Sequence, residues 1–355
     1  MTASTTVAGP GRRGLPHSAA GAAAAGPRAP RRPRSGRGGR ADRARDAAGS
    51  SHDGAAREWR LRLPGERTLV LGKAVRVMGI VNVTPDSFSD GGESLDPDRA
   101  TDRALRQLAE GADLIDLGAE STRPGGGNVY GGGAEPVSVE EELRRLIPVL
   151  RLLRPQTEAP LSIDTRKAAV ARAALDEGAD LINDVSALGD LEMGRLLAGH
   201  DVPVVLMHSR GDLATMQRGI HFDDVVAEVA EELDGALEEA AAAGIATDRT
   251  ILDPGIGFGK TVAHNVVLLA RLDRLASLGR PLLVGASRKS FIGQLSGDPR
   301  GGQPPAERLA GSLAAAAWAC RGGAQIVRVH DVGQTVKFLK VWTAIEAAAA
   351  ATTGC

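Results

Sequence analysis

Eight segments of the chain share one pattern. Each is a short apolar run that stops on a polar or ionisable residue and is followed by a loop and a stretch with helical spacing. The runs are VRVMGIVN (Val75 to Asn82), DLIDLG around Asp116, LSID to Asp164, LIND to Asp184, VVLMH to His208, TILD to Asp253, LLVGASRK to Lys289 and IVRVH to His330. Strands that alternate with helices predict parallel strands joined by right-handed crossovers. Eight such units over about 250 residues match an α/β fold of the (β/α)8 TIM barrel type, whose chemistry sits at the C-terminal ends of the strands. Nearly every run delivers a hydrogen-bonding group at that end. This is the layout of an enzyme that holds one polar ligand in the barrel mouth.

The helix punctuation agrees. Pro97-Asp98 opens a helix that runs to Glu110, with Gly111 after it as a stop. Further helices are expected over Val139–Leu153, Lys167–Glu177, Glu192–Ala198, Asp223–Ala243, Thr261–Leu275, Glu307–Arg321 and Val332–Ala349. Ahead of the first barrel strand, WRLRLPGERTLVLGK (Trp59 to Lys73) alternates apolar and polar residues around Pro-Gly. It reads as a β-hairpin and is expected to cap the bottom of the barrel.

Composition changes the picture only at the N-terminus. Formal net charge is −1 over 355 residues, but the first 60 carry twelve Arg against four Asp/Glu, a surplus of eight. The remainder therefore carries nine excess negative charges. The opening stretch is Ala, Gly, Pro, Arg and Ser with almost no large apolar side chain, so it is expected to be a disordered tail over residues 1–57. The barrel domain is expected over 58–350. Gly and Pro are too frequent in the tail for an amphipathic targeting helix, and a dispensable extension is preferred to a nucleic-acid-binding arm. No stretch has the roughly 20 apolar residues of a membrane span or the pattern of a signal peptide. The only cysteines are Cys320 and Cys355. A reducing, cytoplasmic setting is expected, with small-molecule substrates and neither nucleic acid nor membrane as partner.

The strand ends carry the candidate chemistry. Asn82 offers a carbonyl oxygen suited to a hard cation such as Mg2+. Asp164, Asn183 and Asp253 should point into one mouth. A buried Asp is costly unless it accepts hydrogen bonds, so two carboxylates and an amide there suit a ligand edge with several N–H donors, such as an aminopyrimidine. Each alone has a plainer reading as a structural hydrogen-bonder; three at matching positions favour a ligand. Arg123 lies in a Gly/Pro-rich loop from which it can swing over a ligand. The Gly-rich run Asp253 to Lys260 resembles a phosphate loop only weakly, because its spacing is not that of a Walker sequence. Ser287-Arg288-Lys289-Ser290 opens a helix, where a helix N-terminus and a Lys attract anions. Arg328 and His330 are two apart in a strand and share one face, and barrels frequently bind phosphate near strands seven and eight.

Together these motifs resemble the dihydropteroate synthase family of pterin-binding barrels, over about Leu71 to Val341. GIVNVTPDSFSDGG, ESTRPG, SIDT, LINDVS, LMH, LDPGIGFGK, GASRKSFIG and RVHDV occur in family order. The resemblance implies that 4-aminobenzoate is joined to (7,8-dihydropterin-6-yl)methyl diphosphate, with Mg2+ as cofactor. It implies pterin contacts at Asp164, Asn183, Asp253 and Lys289, supported by Asp116. It implies a Mg2+ ligand at Asn82 and a diphosphate site at Arg328 and His330. The aminobenzoate pocket would fall on Thr122, Arg123, Pro124, Phe258 and Ser290, with Phe88 and Asp90 closing from the first loop. A homodimer and sensitivity of that pocket to sulfonamides are implied as well. One departure is the second loop, which is several residues longer between Pro124 and Ala134 than the family's usual form and rich in added glycines. The competing readings are a pterin-binding methyltransferase and a non-catalytic pterin-binding paralogue. The first has no need of the STRPG loop or the Arg328/His330 pair. The second would be favoured by loss of Asn82, Arg123, Lys289 or His330, all of which are present.

Overall fold

The computed structural model describes residues 57–84, 96–120, 137–211, 216, 218–297 and 302–352. They lie in a compact unit that begins at Ala55. All of the expected tail except Arg57 is outside the described residues.

Two short antiparallel strands come first, β1 (Trp59–Arg62) and β2 (Thr68–Leu71). The turn between them carries Gly65 and Glu66 at φ +69° and +60°, the left-handed region that Pro64-Gly65 makes accessible. Eight parallel strands follow: β3 (Arg76–Asn82), β4 (Leu114–Gly118), β5 (Leu161–Asp164), β6 (Leu181–Asp184), β7 (Val204–Met207), β8 (Thr250–Asp253), β9 (Leu283–Val284) and β10 (Ile326–Val329). Their order is β8-β7-β6-β5-β4-β3-β10-β9. A parallel bridge between Leu252 and Leu282 joins the two ends, with Leu252 N donating to Pro281 O at 2.9 Å. The barrel expected from the sequence is therefore closed, and its strands match the eight apolar runs.

The helices are α1 (Pro97–Ala109), α2 (Val139–Leu153), α3 (Ala168–Asp176), α4 (Leu191–Ala198), α5 (Val225–Ala242), α6 (Val262–Ala270), α7 (Leu272–Ala276), α8 (Ser290–Ser296), α9 (Leu309–Arg321) and α10 (Val332–Thr352). Their ends follow local chemistry. Asp96 caps α1 by accepting from Asp98 N at 2.9 Å, with Pro97 in the first turn. Ser138 caps α2 and Asp224 caps α5. The helix expected over Thr261–Leu275 is two helices. Arg271 between them has φ −125° and ψ 32°, values outside the helical well.

Strand period two sorts the side chains into two layers. Ile115, Leu117, Leu161, Ile163, Leu252 and Val327 pack outward against the helices. Leu114, Leu181, Val205, Ile251, Leu283, Ile326 and Met78 point inward and cluster with Leu61, Leu63, Leu69 and Leu71 of the hairpin. The hairpin thus plugs the bottom of the barrel, as its alternation predicts. It is fastened from outside by Asp180, fully buried, whose carboxylate accepts from Arg67 and from Arg154 Nη1 at 2.9 Å. Two residues further up the inward face, the layer turns polar.

Candidate active site

On five of the strands, continuing the inward face by two residues leads from Leu114 to Asp116, from Ser162 to Asp164, from Leu181 to Asn183, from Ile251 to Asp253 and from Ile326 to Arg328, whereas on β3 and β7 it leads from Met78 to Ile80 and from Val205 to Met207. Arg328 is the hub. Its Nε donates to Asp116 Oδ2 and its Nη2 to Asp164 Oδ2, each at 2.6 Å. Asn183 Nδ2 donates to the same Asp116 oxygen at 3.2 Å. The expected convergence of carboxylates and amide is real, and it is organised by the arginine. Gly118 sits where a Cβ would come within 3.3 Å of Asp164 Cβ, so a larger residue would crowd the Asp164 carboxylate.

The layer is not saturated. Asp116 Oδ1 and Asn183 Oδ1 are buried without a hydrogen-bond partner among the described residues. Leaving such acceptors unmatched costs about 1–3 kcal/mol each, so they mark positions prepared for N–H donors. Burial pushes the Asp164 carboxyl up to about 7, against the pull of Arg328, and Asp116 adds to the rise. Burial also raises Asp253, opposed by Lys289 and by the hydrogen bond from Gly255 N, which is 2.7 Å long. For Arg328, burial works against the charge. The carboxylates of Asp116 and Asp164 outweigh it and hold the guanidinium more firmly protonated than usual.

Lys289 precedes α8 and reaches back into the mouth. Its Nζ donates to Ile256 O and stands 4.3 Å from the centre of the Phe258 ring. Burial lowers its ammonium to about 8, with Asp253 resisting. The lysine thus bonds the Gly-rich loop and lies within the electrostatic reach of Asp253. At the rim, His330 follows β10, one residue beyond its last position. Its Nδ1 lies 3.1 Å from Ser287 Oγ, and its backbone N donates to the same oxygen at 3.2 Å. Asn82 ends β3 and pairs in register with Gly118. Ser290 is the first residue of α8. Phe88, Asp90, Thr122, Arg123 and Pro124 lie outside the described residues. So does the lengthened part of the second loop, although the Glu120 carboxylate before it accepts from Val137 N after it at 3.2 Å.

Two groups that sequence reasoning passed over stand behind the mouth. Lys260 and His208 are buried and joined by a 2.8 Å contact between Nζ and Nδ1. The Lys had been visible only as the end of a loosely phosphate-like run, and the His as the end of a strand. The side chain of Lys260 is engaged by His208 and by Phe258 O at 3.0 Å, so the phosphate-loop likeness does not describe it.

A barrel mouth lined by acceptors for N–H groups, with Arg and His at the strand-eight rim, defines an enzyme for a flat nitrogen heterocycle with an anionic tail. The pterin binding enzyme family matches residues 78–330. The dihydropteroate synthase of Synechocystis sp. is 45% identical over 285 residues, which is 80% of this chain and 94% of that one. The structure of Xanthomonas albilineans dihydropteroate synthase with 4-aminobenzoic acid aligns with a TM-score of 0.74 at 50% identity, covering 82% of this chain and 99% of that one. The structure of the enzyme from the same organism with 7,8-dihydropteroate aligns at 0.70 and 48% identity, covering 81% and 99%. The chain belongs to the pterin-binding enzyme family, among its dihydropteroate synthases, and is a transferase of folate biosynthesis.

Proposed function

We propose that this mouth joins 4-aminobenzoate to (7,8-dihydropterin-6-yl)methyl diphosphate, giving 7,8-dihydropteroate and diphosphate. The observation that carries the reading is the pair of unmatched buried acceptors, Asp116 Oδ1 and Asn183 Oδ1, in the layer that also holds Asp164 and Asp253. The aminopyrimidine edge of a pterin offers several N–H donors in one plane, and these four side chains present oxygens to it. Lys289, beside Asp253, supplies a donor from the opposite side.

Substitution at the pterin methylene needs a leaving group whose charge is stabilised and an amine held nearby. Arg328 keeps its Nη1 donors uncommitted among the described residues while the rest of the guanidinium is fixed. His330, oriented by Ser287, adds a second donor at the rim. Charge-assisted donors of this kind stabilise developing negative charge best when fixed beforehand. Asn82 fits a Mg2+ site. Its amide makes no side-chain hydrogen bond among the described residues, and Mg2+ takes one or two protein ligands plus substrate phosphates. Among the described residues no group of three His, Cys, Asp or Glu could cage a metal. When bound, Mg2+ supplies further neutralisation of the diphosphate. Asp90 would offset positive charge left on the pterin, and Arg123, with Thr122, Pro124, Phe258 and Ser290, would hold the aminobenzoate. The path is dissociative, and none of the assigned residues acts as a nucleophile.

The same reading makes the chain a cytoplasmic homodimer. Val266 and Val267 of α6, Trp318 of α9, and Val341 and Ile345 of α10 are 41–62% exposed on neighbouring helices, an apolar side that a second copy would cover. No helix among the described residues is long and apolar enough to cross a membrane.

Diphosphate release tests the function. Sustained release is expected with both substrates and Mg2+ present, to stop when the pterin substrate or Mg2+ is omitted, and to fall sharply when 4-aminobenzoate is omitted. Undiminished release without 4-aminobenzoate would overturn the condensation.

A further inference from the structure

The loop from Pro254 to Gly259 lies directly on the chain segment that follows β7. A Cβ at Gly255 would come within 1.8 Å of His208 O, and one at Gly259 within 2.7 Å of Arg210 O. The loop is gripped from two sides by lysines that bond carbonyls two residues apart. On the mouth side Lys289 holds Ile256 O. On the far side Lys260, 3% exposed, donates to Phe258 O at 3.0 Å and contacts His208 Nδ1 at 2.8 Å. His208, 4% exposed, passes the connection outward through Nε2 to Glu232 Oε2 on α5 at 2.9 Å. Arg210 Nε donates to the other Glu232 oxygen at 2.9 Å.

We infer that Lys260, His208 and Glu232 form a positioning relay that sets the far half of the Asp253–Lys260 loop, and with it the place of Phe258 beside the second substrate. The inference rests on the reading that Phe258 lines the aminobenzoate pocket. The protonation pattern is consistent with it. Burial keeps His208 neutral by lowering its pKa, so the ring can accept from Lys260 at Nδ1 and donate to the Glu232 carboxylate at Nε2. The near half of the loop has its own fastenings, Gly255 N on Asp253 and Ile256 O on Lys289. Loss of Lys260 therefore frees Phe258 O on the far side, while Lys289 over the ring and the bond from Phe258 N to Gly255 O at 3.0 Å keep the pterin-facing side held.

Steady-state kinetics with each substrate varied in turn separates the possibilities. Lys260→Met is expected to raise KM for 4-aminobenzoate about tenfold, with the KM of the pterin diphosphate changed less than twofold. His208→Leu should do the same. His208→Asn, which keeps an acceptor near the place of Nδ1, should recover most of the loss. Phe258→Ala is the control for the underlying reading. If it leaves KM for 4-aminobenzoate unchanged, the pocket assignment and the inference both fall. If it raises that KM and Lys260→Met does not, or if Lys260→Met raises both KM values equally, the inference alone is overturned. Should Lys260→Met fold poorly, His208→Asn against His208→Leu still decides, because equal KM values for the two would refute the relay.

Discussion

At the bottom of the barrel Leu114, Leu181, Ile251 and Ile326 meet the hairpin leucines. Two residues further along the same strands, Asp116, Asn183, Asp253 and Arg328 form the layer that faces the mouth. The lower layer is closed and apolar, and its charged fastening, Asp180 with Arg67 and Arg154, is bonded through both carboxylate oxygens. The upper layer keeps two buried oxygens unmatched and carries a carboxyl and a lysine held away from their usual pKa values. One end of the barrel has given its hydrogen-bonding and packing capacity to the fold, and the other has kept some in reserve for a ligand. That reserve has a stability cost, which the bottom helps offset.

The contrast is broken most severely at Arg328. Arg328→Met removes two charge-assisted bonds, each worth roughly 1.5–3 kcal/mol, and leaves Asp116 and Asp164 uncompensated. A fall in kcat/KM of about two to four orders of magnitude is expected, with about 3–5 kcal/mol of stability lost. The double variant Arg328→Met with Asp116→Asn should regain part of the stability and none of the activity. Denaturant titration and initial rates on the same samples check both halves.

At the other end Leu71→Ala should reverse the balance. Truncating a fully buried leucine costs about 2–5 kcal/mol, read as a lower melting temperature by calorimetry. Pterin affinity measured well below the transition should stay within twofold. A comparable loss of affinity would show that the two layers are not separable.

A smaller effect sharpens the contrast through pH. The Asp164 carboxyl moves from 3.8 to about 7 on folding. Below about pH 4 it is protonated in both states. As pH rises from there to about 7 the unfolded chain releases the proton first, so stability is lost across that window. Asp164→Asn should remove this component of the slope of unfolding free energy against pH. Lys289, lowered from 10.5 to about 8, contributes the opposite slope, with stability lost as pH falls between those values. Lys289→Met should remove that one. The smallest effect is expected from shortening the chain to begin at Ala55, where the compact unit starts. Activity and melting temperature should both be retained, and a drop of several degrees would contradict the compositional reading of the first residues.

Much of this was legible in the sequence. The eight runs became the eight barrel strands, and the hairpin took the place its alternation predicted. Helix α2 occupies Val139–Leu153, the bounds its spacing predicts. Arg328 lies on the inward face of β10, as alternation along that strand predicts. The break at Arg271 was missed because apolar periodicity continues through it. His208 and Lys260 were missed as partners because each looks ordinary in its own neighbourhood.

What the chain determines locally is where strands lie, which residues point inward and that the inward face changes from leucine to carboxylate, since these follow from spacing along one segment. Which polar groups meet was decided by the order and curvature of the strands in the barrel. Arg328 bonds Asp116 across 212 positions and Asp164 across 164, and Lys260 finds His208 across 52. No periodicity links such distant residues. The order of the strands brings them together, since β10, β3, β4 and β5 are successive neighbours in the sheet and β7 lies beside β8, and with them the two oxygens that await a ligand.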